Sequence, residues 1–158
     1  MKVTLKNIKA VYKSLFLCFF INISFSQTLI NDKLESRIKN ITNAKSFKGV
    51  IRSENVLNIS NEFGLDNDQI MELFRPYSKM YSKAPISNYN VGAICKGSSG
   101  NLYFGSNIEI LNESLSFTLH AEQAAIINAW NNGETEIKHI NVGGSPCCLL
   151  YTSDAADE

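Results

Sequence analysis

The amino-acid sequence predicts a layered α/β sandwich, chiefly from the order of its patterned segments. Two segments with helical periodicity come first, an alternating hairpin follows, and an apolar helix and a strand come next. Because helices and sheets must bury their apolar faces against one another, this order favours helices packed on a sheet. The chain of 158 residues has the length of one domain with a modest core.

Residues 1–27 differ in composition from the rest of the chain. Four lysines precede the apolar run Leu15–Ile21, and the small residues Ser24 and Ser26 come after it. A charged start, a short apolar middle and a small-residue end are typical of a signal peptide. An extension from a misplaced start codon and a buried helix remain open as alternatives. The run is too short to predict a membrane span, so no membrane partner is expected.

Residues 28–83 are predicted to form a helical N-terminal segment. Apolar residues at helical spacing predict an amphipathic helix over residues 29–43, namely Ile30, Leu34, Ile38 and Ile41. A stronger stripe, which Asp66 or Asn67 could cap, consists of Ile70, Leu73, Phe74, Tyr77, Met80 and Tyr81. Pro76 lies inside this second helix and should kink or split it.

A hairpin, a helix and a strand are predicted next. Residues Asn90–Lys96 alternate in polarity, a glycine- and serine-rich turn follows, and Asn101–Glu109 forms the returning strand. Residues Leu119–Asn131 are rich in alanine and isoleucine with little polar surface, as in a buried helix. Residues Ile137–Val142 are predicted to form a strand.

Charge and cysteine content exclude some classes of function. The formal net charge is +0, so the chain has no field to attract nucleic acid, and no nucleic-acid partner is expected. The four cysteines show no spacing that indicates a disulfide framework. Cys95 is predicted to pack in the core, and His139 is predicted to lie on the surface.

The segment His120-Ala121-Glu122, with Pro146-Cys147, reproduces most of the H-x-E…P-C-x-x-C signature of the zinc nucleobase deaminases. Catalytic zinc needs three protein ligands and one open position, so that bound water can ionise near neutral pH. The glutamate must carry protons without ligating the metal. Residues two apart do not share a helix face, so His120 and Glu122 must lie at the first turn of a helix.

The third zinc ligand of this signature is missing from the sequence, because the position three after Cys147 is Leu150. Residues Cys148–Glu158 supply neither a strand nor a long amphipathic helix, and they resemble the translation of a sequencing-library adapter. A genuine short C-terminus is the alternative. The chain is therefore expected to be a fragment truncated within its zinc motif, and to be inactive in this form.

Three motifs in this order resemble cytidine deaminases of the longer, two-domain, homodimeric bacterial type. They are Pro85–Ile94, Tyr103–Glu109 and His120–Gln123. The resemblance implies a three-layer α/β/α sandwich, with residues 84–147 as part of a CMP/dCMP-type deaminase catalytic domain. It also implies a homodimer that is located in the cytoplasm, although the signal-like start leaves export open.

The resemblance also implies a role for each residue of the site. His120 and Cys147 would bind Zn²⁺, and Glu122 would be the proton shuttle. Asn107 and Glu109 would hold the ribose hydroxyls, the Tyr89 ring would stack on the pyrimidine, and the backbone around Ala121 would read the base edge. The alternatives are an exposed strand end for Asn107 and Glu109, and plain core packing for Tyr89.

The function expected from the resemblance is pyrimidine salvage through hydrolysis of cytidine or deoxycytidine, which gives uridine or deoxyuridine and ammonia. The expected binding partner of the protein is its substrate, a small-molecule nucleoside. Two alternatives stay open, namely a deaminase that acts on a base within nucleic acid and a zinc-binding module without catalytic activity.

We predict that the gene continues past the codon of Cys147 with two residues and then a cysteine, as the C-x-x-C signature requires. Two protein ligands cannot hold a catalytic zinc ion well. Long-range resequencing of the source locus measures this directly. A gene that encodes Cys148–Glu158 and then stops would contradict the prediction.

Overall fold

The computed structural model describes residues 30–143, so the signal-like segment, Cys147 and the adapter-like tail lie outside the described residues. Helix α1 covers residues 30–42 and confirms the first predicted helix. The chain divides into two compact units between Asn40 and Ile41, and the predicted boundary between residues 83 and 84 falls inside the second unit. Within the described range, no helix is long and apolar enough to cross a membrane.

The second unit combines helices with a four-stranded sheet in the order β1-β3-β2-β4, in which each neighbouring pair is antiparallel. Its elements are β1 (Val50–Ile51), α2 (Ser53–Phe63), α3 (Asn67–Lys79), β2 (Gly92–Gly97), β3 (Leu102–Ser106), a short 3-10 helix (Leu115–Phe117), α4 (Ala121–Asn131) and β4 (Ile137–Val142). The predicted hairpin, apolar helix and last strand are thereby confirmed.

The strand register gives the sheet two buried faces. Cys95 lies opposite Tyr103 on the face that α4 covers, where both pack with the alanines of that helix. Ile94 lies opposite Phe104 on the other face, where the Phe104 ring centroid is 6.2 Å from that of Phe74 on α3. Helices therefore cover both faces of the sheet, as a three-layer α/β/α sandwich requires.

The prediction was that Pro76 kinks or splits the second helix, and α3 continues through this residue, so the helix is not split. Proline removes one backbone hydrogen bond, but the buried residues Phe74 and Ser78 on either side keep the last turn packed. The predicted Asp66 cap is present and forms a capping box with Gln69. The prediction that Met80 and Tyr81 belong to the apolar stripe of this helix is wrong, because both residues follow the helix and are exposed.

Strand β1 and helix α2 were not predicted from the sequence. The strand has only two residues, which is too short to show alternation. Helix α2 buries only Val56 and Ile59, so its apolar stripe is narrow. Gly64 ends the helix with a φ of 68°, a left-handed conformation that favours glycine.

A buried carboxylate, Glu134, joins the β2–β3 turn to the segment before β4. It accepts hydrogen bonds from Tyr103 Oη at 2.7 Å, Ser98 Oγ at 3.0 Å and the Ser99 N–H at 3.2 Å, and also from Ser99 Oγ. Burial would raise the pKa of Glu134, but the hydrogen bonds from Ser99, Tyr103 and Ser98 outweigh it and lower the pKa to about 2. Gly97 leaves room for this group, since a Cβ there would lie 2.1 Å from the Glu134 carboxyl carbon.

Cys95 is fully buried, which confirms the prediction that it packs in the core. Its thiol donates to the Ala125 carbonyl, with 3.2 Å between sulfur and oxygen. Burial, with a contribution from the charge of Glu134, raises the pKa of Cys95 to about 12. The group therefore remains a neutral thiol near pH 7 and is unsuited to metal binding, which needs the thiolate.

Gly105 allows helix α4 to lie directly against strand β3. A Cβ at this position would lie 2.2 Å from both the Ala121 carbonyl oxygen and the Ala125 amide nitrogen. Both atoms belong to the backbone, so neither can move without shifting the helix. The close contact fixes the position of the N-terminal end of α4.

We predict that stability depends on the ionised form of Glu134. Its folded pKa lies below the ordinary value of 4.5, so its contribution is complete above pH 4.5 and is lost as the pH falls towards about 2. The Glu134→Gln protein should therefore have a lower free energy of unfolding at pH 7, and the difference from the parent should shrink over this range. Urea unfolding at a series of pH values measures it. Glu136→Gln, an exposed neighbour, is the control, and a constant difference for Glu134→Gln would contradict the prediction.

We also predict that Gly105→Ala is destabilising, because overpacking costs about 1–3 kcal/mol, and occasionally more where backbone must shift. Gly64→Ala is the control, because its Cβ would meet nothing within 4 Å and only the positive φ opposes it. Urea unfolding should give the larger loss for Gly105→Ala. A Gly105→Ala protein as stable as the parent would contradict the prediction.

Candidate active site

His120 and Glu122 lie at the N-terminal end of α4, as predicted. His120 is the N-cap residue with an extended backbone (φ −73°, ψ 153°), and Glu122 lies in the first turn. The N–H of His120 donates to Gln123 Oε1 at 3.1 Å, which fixes the start of the helix. The end of the helix, and not its side, therefore carries both groups.

A pair of backbone hydrogen bonds brings the second motif beside the first. Ile108 and Leu119 exchange N–H···O=C bonds of 2.9 and 3.0 Å, which place residues 107–109 next to residues 118–120. Lys83 extends the arrangement, because its N–H donates to the Asn107 carbonyl at 3.0 Å and its carbonyl accepts from the Glu109 N–H at 2.7 Å. Three separate segments of the chain thus meet just beyond the end of strand β3.

Asn107 is 6% exposed, and its amide is held by the loop before β2. Its Oδ1 accepts from Ser82 Oγ at 2.6 Å and from the Val91 N–H at 2.8 Å. Its Nδ2 donates to the Tyr89 carbonyl at 2.8 Å. The side chain is therefore not an exposed strand end but an anchor for this loop, with one amide hydrogen left to donate.

Glu109 is 7% exposed, and the same loop surrounds its carboxylate. The N–H groups of Ile86 and Ser87 donate to Oε2 at 2.8 and 3.0 Å, and Ser87 Oγ donates to Oε1. Burial alone would raise the pKa of Glu109, but the bonds from Ser87 and Ile86 outweigh it and lower the pKa. The carboxylate is therefore ionised near pH 7 and can accept hydrogen bonds only.

Tyr89 has an exposed ring, with 54% of the residue accessible to solvent. This exposure excludes plain core packing. Tyr89 also lines a cleft of about 440 Å³, whose other lining residues are Arg75, Pro76, Lys79, Asn88, Asn90, Gly92 and Gly143. The structure thus places the backbone of Tyr89 beside Asn107, while its ring remains available to a ligand.

The described residues fit a zinc ion at the N-terminus of α4, although they hold only part of a ligand set. His120 is half-buried there, and among residues 30–143 the Glu122 carboxylate has no hydrogen-bond or ion-pair partner. An imidazole at the N-cap and a carboxylate in the first turn, without a partner among residues 30–143, suit a metal ligand and a proton carrier. No three histidine, cysteine or acidic residues within the described range cluster closely enough to hold a metal, and Cys147 lies outside that range.

Sequence reasoning missed the hydrogen-bond donors that hold the side chains of Asn107 and Glu109. Ser82, Ile86 and Ser87 supply these hydrogen bonds, partly through their backbone N–H groups. Backbone donors leave no signature in side-chain identity, so periodicity could not reveal them. The one signal in the sequence was that Ser87 lies within the motif Pro85–Ile94.

Comparison with known proteins agrees with this geometry. The family model of the cytidine and deoxycytidylate deaminase zinc-binding region matches residues 67–149, which is slightly more than half of the chain. Cytidine deaminases of Yersinia pestis (strain Pestoides F) and Yersinia pseudotuberculosis (serotype O:1b) are each 40% identical to it over 114 residues. This alignment covers 72% of the chain, which spans only 39% of the length of these relatives.

Among solved structures, the cytidine deaminase from Mycobacterium leprae is 23% identical, with a TM-score of 0.47 over 56% of this chain and 81% of that one. The range that the family model matches contains His120, Glu122 and Cys147, the residues predicted to take part in the zinc chemistry. The chain therefore belongs to the family defined by the cytidine and deoxycytidylate deaminase zinc-binding region, and its cofactor is Zn²⁺.

Proposed function

We propose that the protein deaminates cytidine or deoxycytidine by hydrolysis, with uridine or deoxyuridine and ammonia as products. The observation that carries the proposal is the bridge between Ile108 and Leu119. It joins a hydroxyl-binding pair, Asn107 and Glu109, to a metal ligand and a proton carrier, His120 and Glu122. A site that must hold a sugar and react with its base needs both pairs side by side.

The proton chemistry is assigned to Glu122. Water is cleaved in the reaction, so one proton must reach the pyrimidine N3 and another must reach the departing amine. A carboxylate with no partner among residues 30–143 can take the first proton from water and deliver it to N3, and then transfer the second to the departing amine nitrogen. His120 and Cys147 would hold zinc beside it, and bound zinc supplies the Lewis acidity that makes water a nucleophile near neutral pH.

The sugar is assigned to Asn107 and Glu109. An ionised carboxylate accepts a hydrogen bond from a hydroxyl, and the remaining amide hydrogen of Asn107 can donate one. Together they would bind the 3′-hydroxyl and would reject a substrate that lacks it or that carries phosphate there. The lowered pKa of Glu109 supports this assignment, since a protonated carboxyl would lose most of its strength as an acceptor.

A free nucleoside is the proposed substrate, and a base within nucleic acid is the weaker alternative. The formal net charge of +0 supports this choice, because polynucleotide binding depends on neutralising several phosphates. We further propose a role in pyrimidine salvage, a homodimer as the active assembly and a cytoplasmic location, all from the family resemblance. The exposed Tyr89 ring is proposed to stack on the pyrimidine.

We predict that Glu122→Gln in the full-length protein retains zinc but loses about 10²–10⁴-fold in kcat, because the amide keeps the shape and removes the proton carrier. His120→Ala should lose zinc and activity together. Zinc content by atomic absorption, measured beside cytidine turnover by ultraviolet absorbance, separates these roles.

Glu113→Gln, which alters an exposed carboxylate in the preceding loop, is the matched control and should behave as the parent. Near-parental turnover of Glu122→Gln would show that another group carries the protons. A zinc-loaded parent protein without turnover of any free nucleoside would instead favour a module without catalytic activity, and the proposed function would be wrong.

A further inference from the structure

A single hydroxyl links the group proposed to hold the sugar to the residue proposed to hold the base. Ser87 Oγ donates to Glu109 Oε1 and accepts from the Tyr89 N–H at 3.0 Å. A hydroxyl has one proton to donate and two lone pairs, so both bonds can form at once. The carboxylate and the backbone of Tyr89 are therefore two ends of one short chain of hydrogen bonds.

Asn107 holds Tyr89 from its other side. Its Nδ2 donates to the Tyr89 carbonyl at 2.8 Å, so both backbone polar groups of Tyr89 are bonded to side chains. One bond leads to Glu109 through Ser87, and the other leads directly to Asn107. The ring, in contrast, is 54% exposed. The tyrosine thus has a fixed backbone and a ring that is free to meet a ligand.

We propose that Ser87 is a positioning residue that couples recognition of the sugar to recognition of the base. The inference rests on the proposed function and names a specificity-determining residue for it. The hydroxyl holds Tyr89 at a set distance from the Glu109 carboxylate, so that a nucleoside meets both groups without reordering the loop. Preorganisation of this kind improves affinity because less conformational entropy is lost on binding.

The surroundings of Ser87 separate this role from a general contribution to stability. Ser87 is exposed and lies outside helices and strands. Glu109 Oε2 keeps the N–H groups of Ile86 and Ser87 as donors whatever the side chain at position 87. The loop therefore stays attached to Glu109 through these N–H groups when the hydroxyl is removed, whereas the hydroxyl's own bond to Glu109 Oε1, and with it the connection to Tyr89, is lost.

The experiment measures cytidine binding calorimetrically in the full-length, zinc-loaded protein carrying Glu122→Gln, so that turnover does not interfere. Ser87→Ala should weaken binding about tenfold, the effect of losing one hydrogen bond to a charged group. Ser87→Thr keeps the hydroxyl and should bind like the parent, whereas Ser87→Val has nearly the same shape and should bind like Ser87→Ala. In a Tyr89→Ala background, the effect of Ser87→Ala should fall to about twofold or less, because coupled residues are not additive.

With Glu122 intact, Ser87→Ala should raise KM while kcat stays within about twofold, since the residue acts on binding and not on proton transfer. Ser116→Ala, an exposed serine whose hydroxyl donates only to Ser114 Oγ, is the control. Equal binding by the Thr and Val variants, or an undiminished effect in the Tyr89→Ala background, would overturn the coupling while leaving the proposed function intact. A parent protein that binds no cytidine would overturn both.

Discussion

The close contact between helix α4 and strand β3 is the constraint on which the site depends. Gly105 has no side chain, and a Cβ there would overlap the backbone at Ala121 and Ala125. The helix residues that face Gly105 are also small, which lets α4 lie flat on the sheet. Ala121 and Ala125 belong to the same core cluster as the buried Ala129. Because the helix cannot slide without losing this contact, its first turn is held at one position relative to strand β3.

The position of α4 has a direct consequence for the site. Leu119 lies just before the helix. Its two hydrogen bonds with Ile108 can form only when the helix begins at this position along the sheet. The same bridge then decides how far His120 lies from Asn107 and Glu109. Packing in the core thus fixes the spacing between the group that would hold the metal and the groups that would hold the sugar. The proposed reaction on one nucleoside would require such a fixed spacing.

The sequence allowed good prediction wherever a pattern was long or a motif was specific. The hairpin and α4 showed clear periodicity, and the argument that His120 and Glu122 must share a first turn needed only helix geometry. Local propensity did not decide the outcome where packing competes with it, as at Pro76, which the packed helix α3 contains without being split. Prediction failed where backbone groups act, as with the Ile86 and Ser87 donors, and where contacts join residues far apart, as between Tyr103 and Glu134.

Two buried carboxylates at opposite ends of the sheet show how the same physics can serve stability or binding. Glu134 lies beyond the Gly97 end of β2, and its donors come from the hairpin turn and from Tyr103 within β3. Glu109 lies beyond the Gly92 end, and its donors come from an irregular loop with exposed residues. Hydrogen bonds lower both pKa values against the effect of burial.

The two carboxylates differ in how readily a hydroxyl group of a ligand could donate to them. Tyr103 is fully buried, so no ligand can take its place on Glu134 without unfolding the end of the sheet. Ser87 is exposed, so in the proposed complex a sugar hydroxyl would approach the Glu109 carboxylate from the side of this serine and join it as a donor. Because both are hydroxyl groups, Ser87 would prepare the carboxylate for the proposed nucleoside by a bond of the same chemical kind. An ionised acceptor whose donors all lie on an exposed loop therefore suits ligand binding, whereas one whose donors include a buried hydroxyl, that of Tyr103, suits stability.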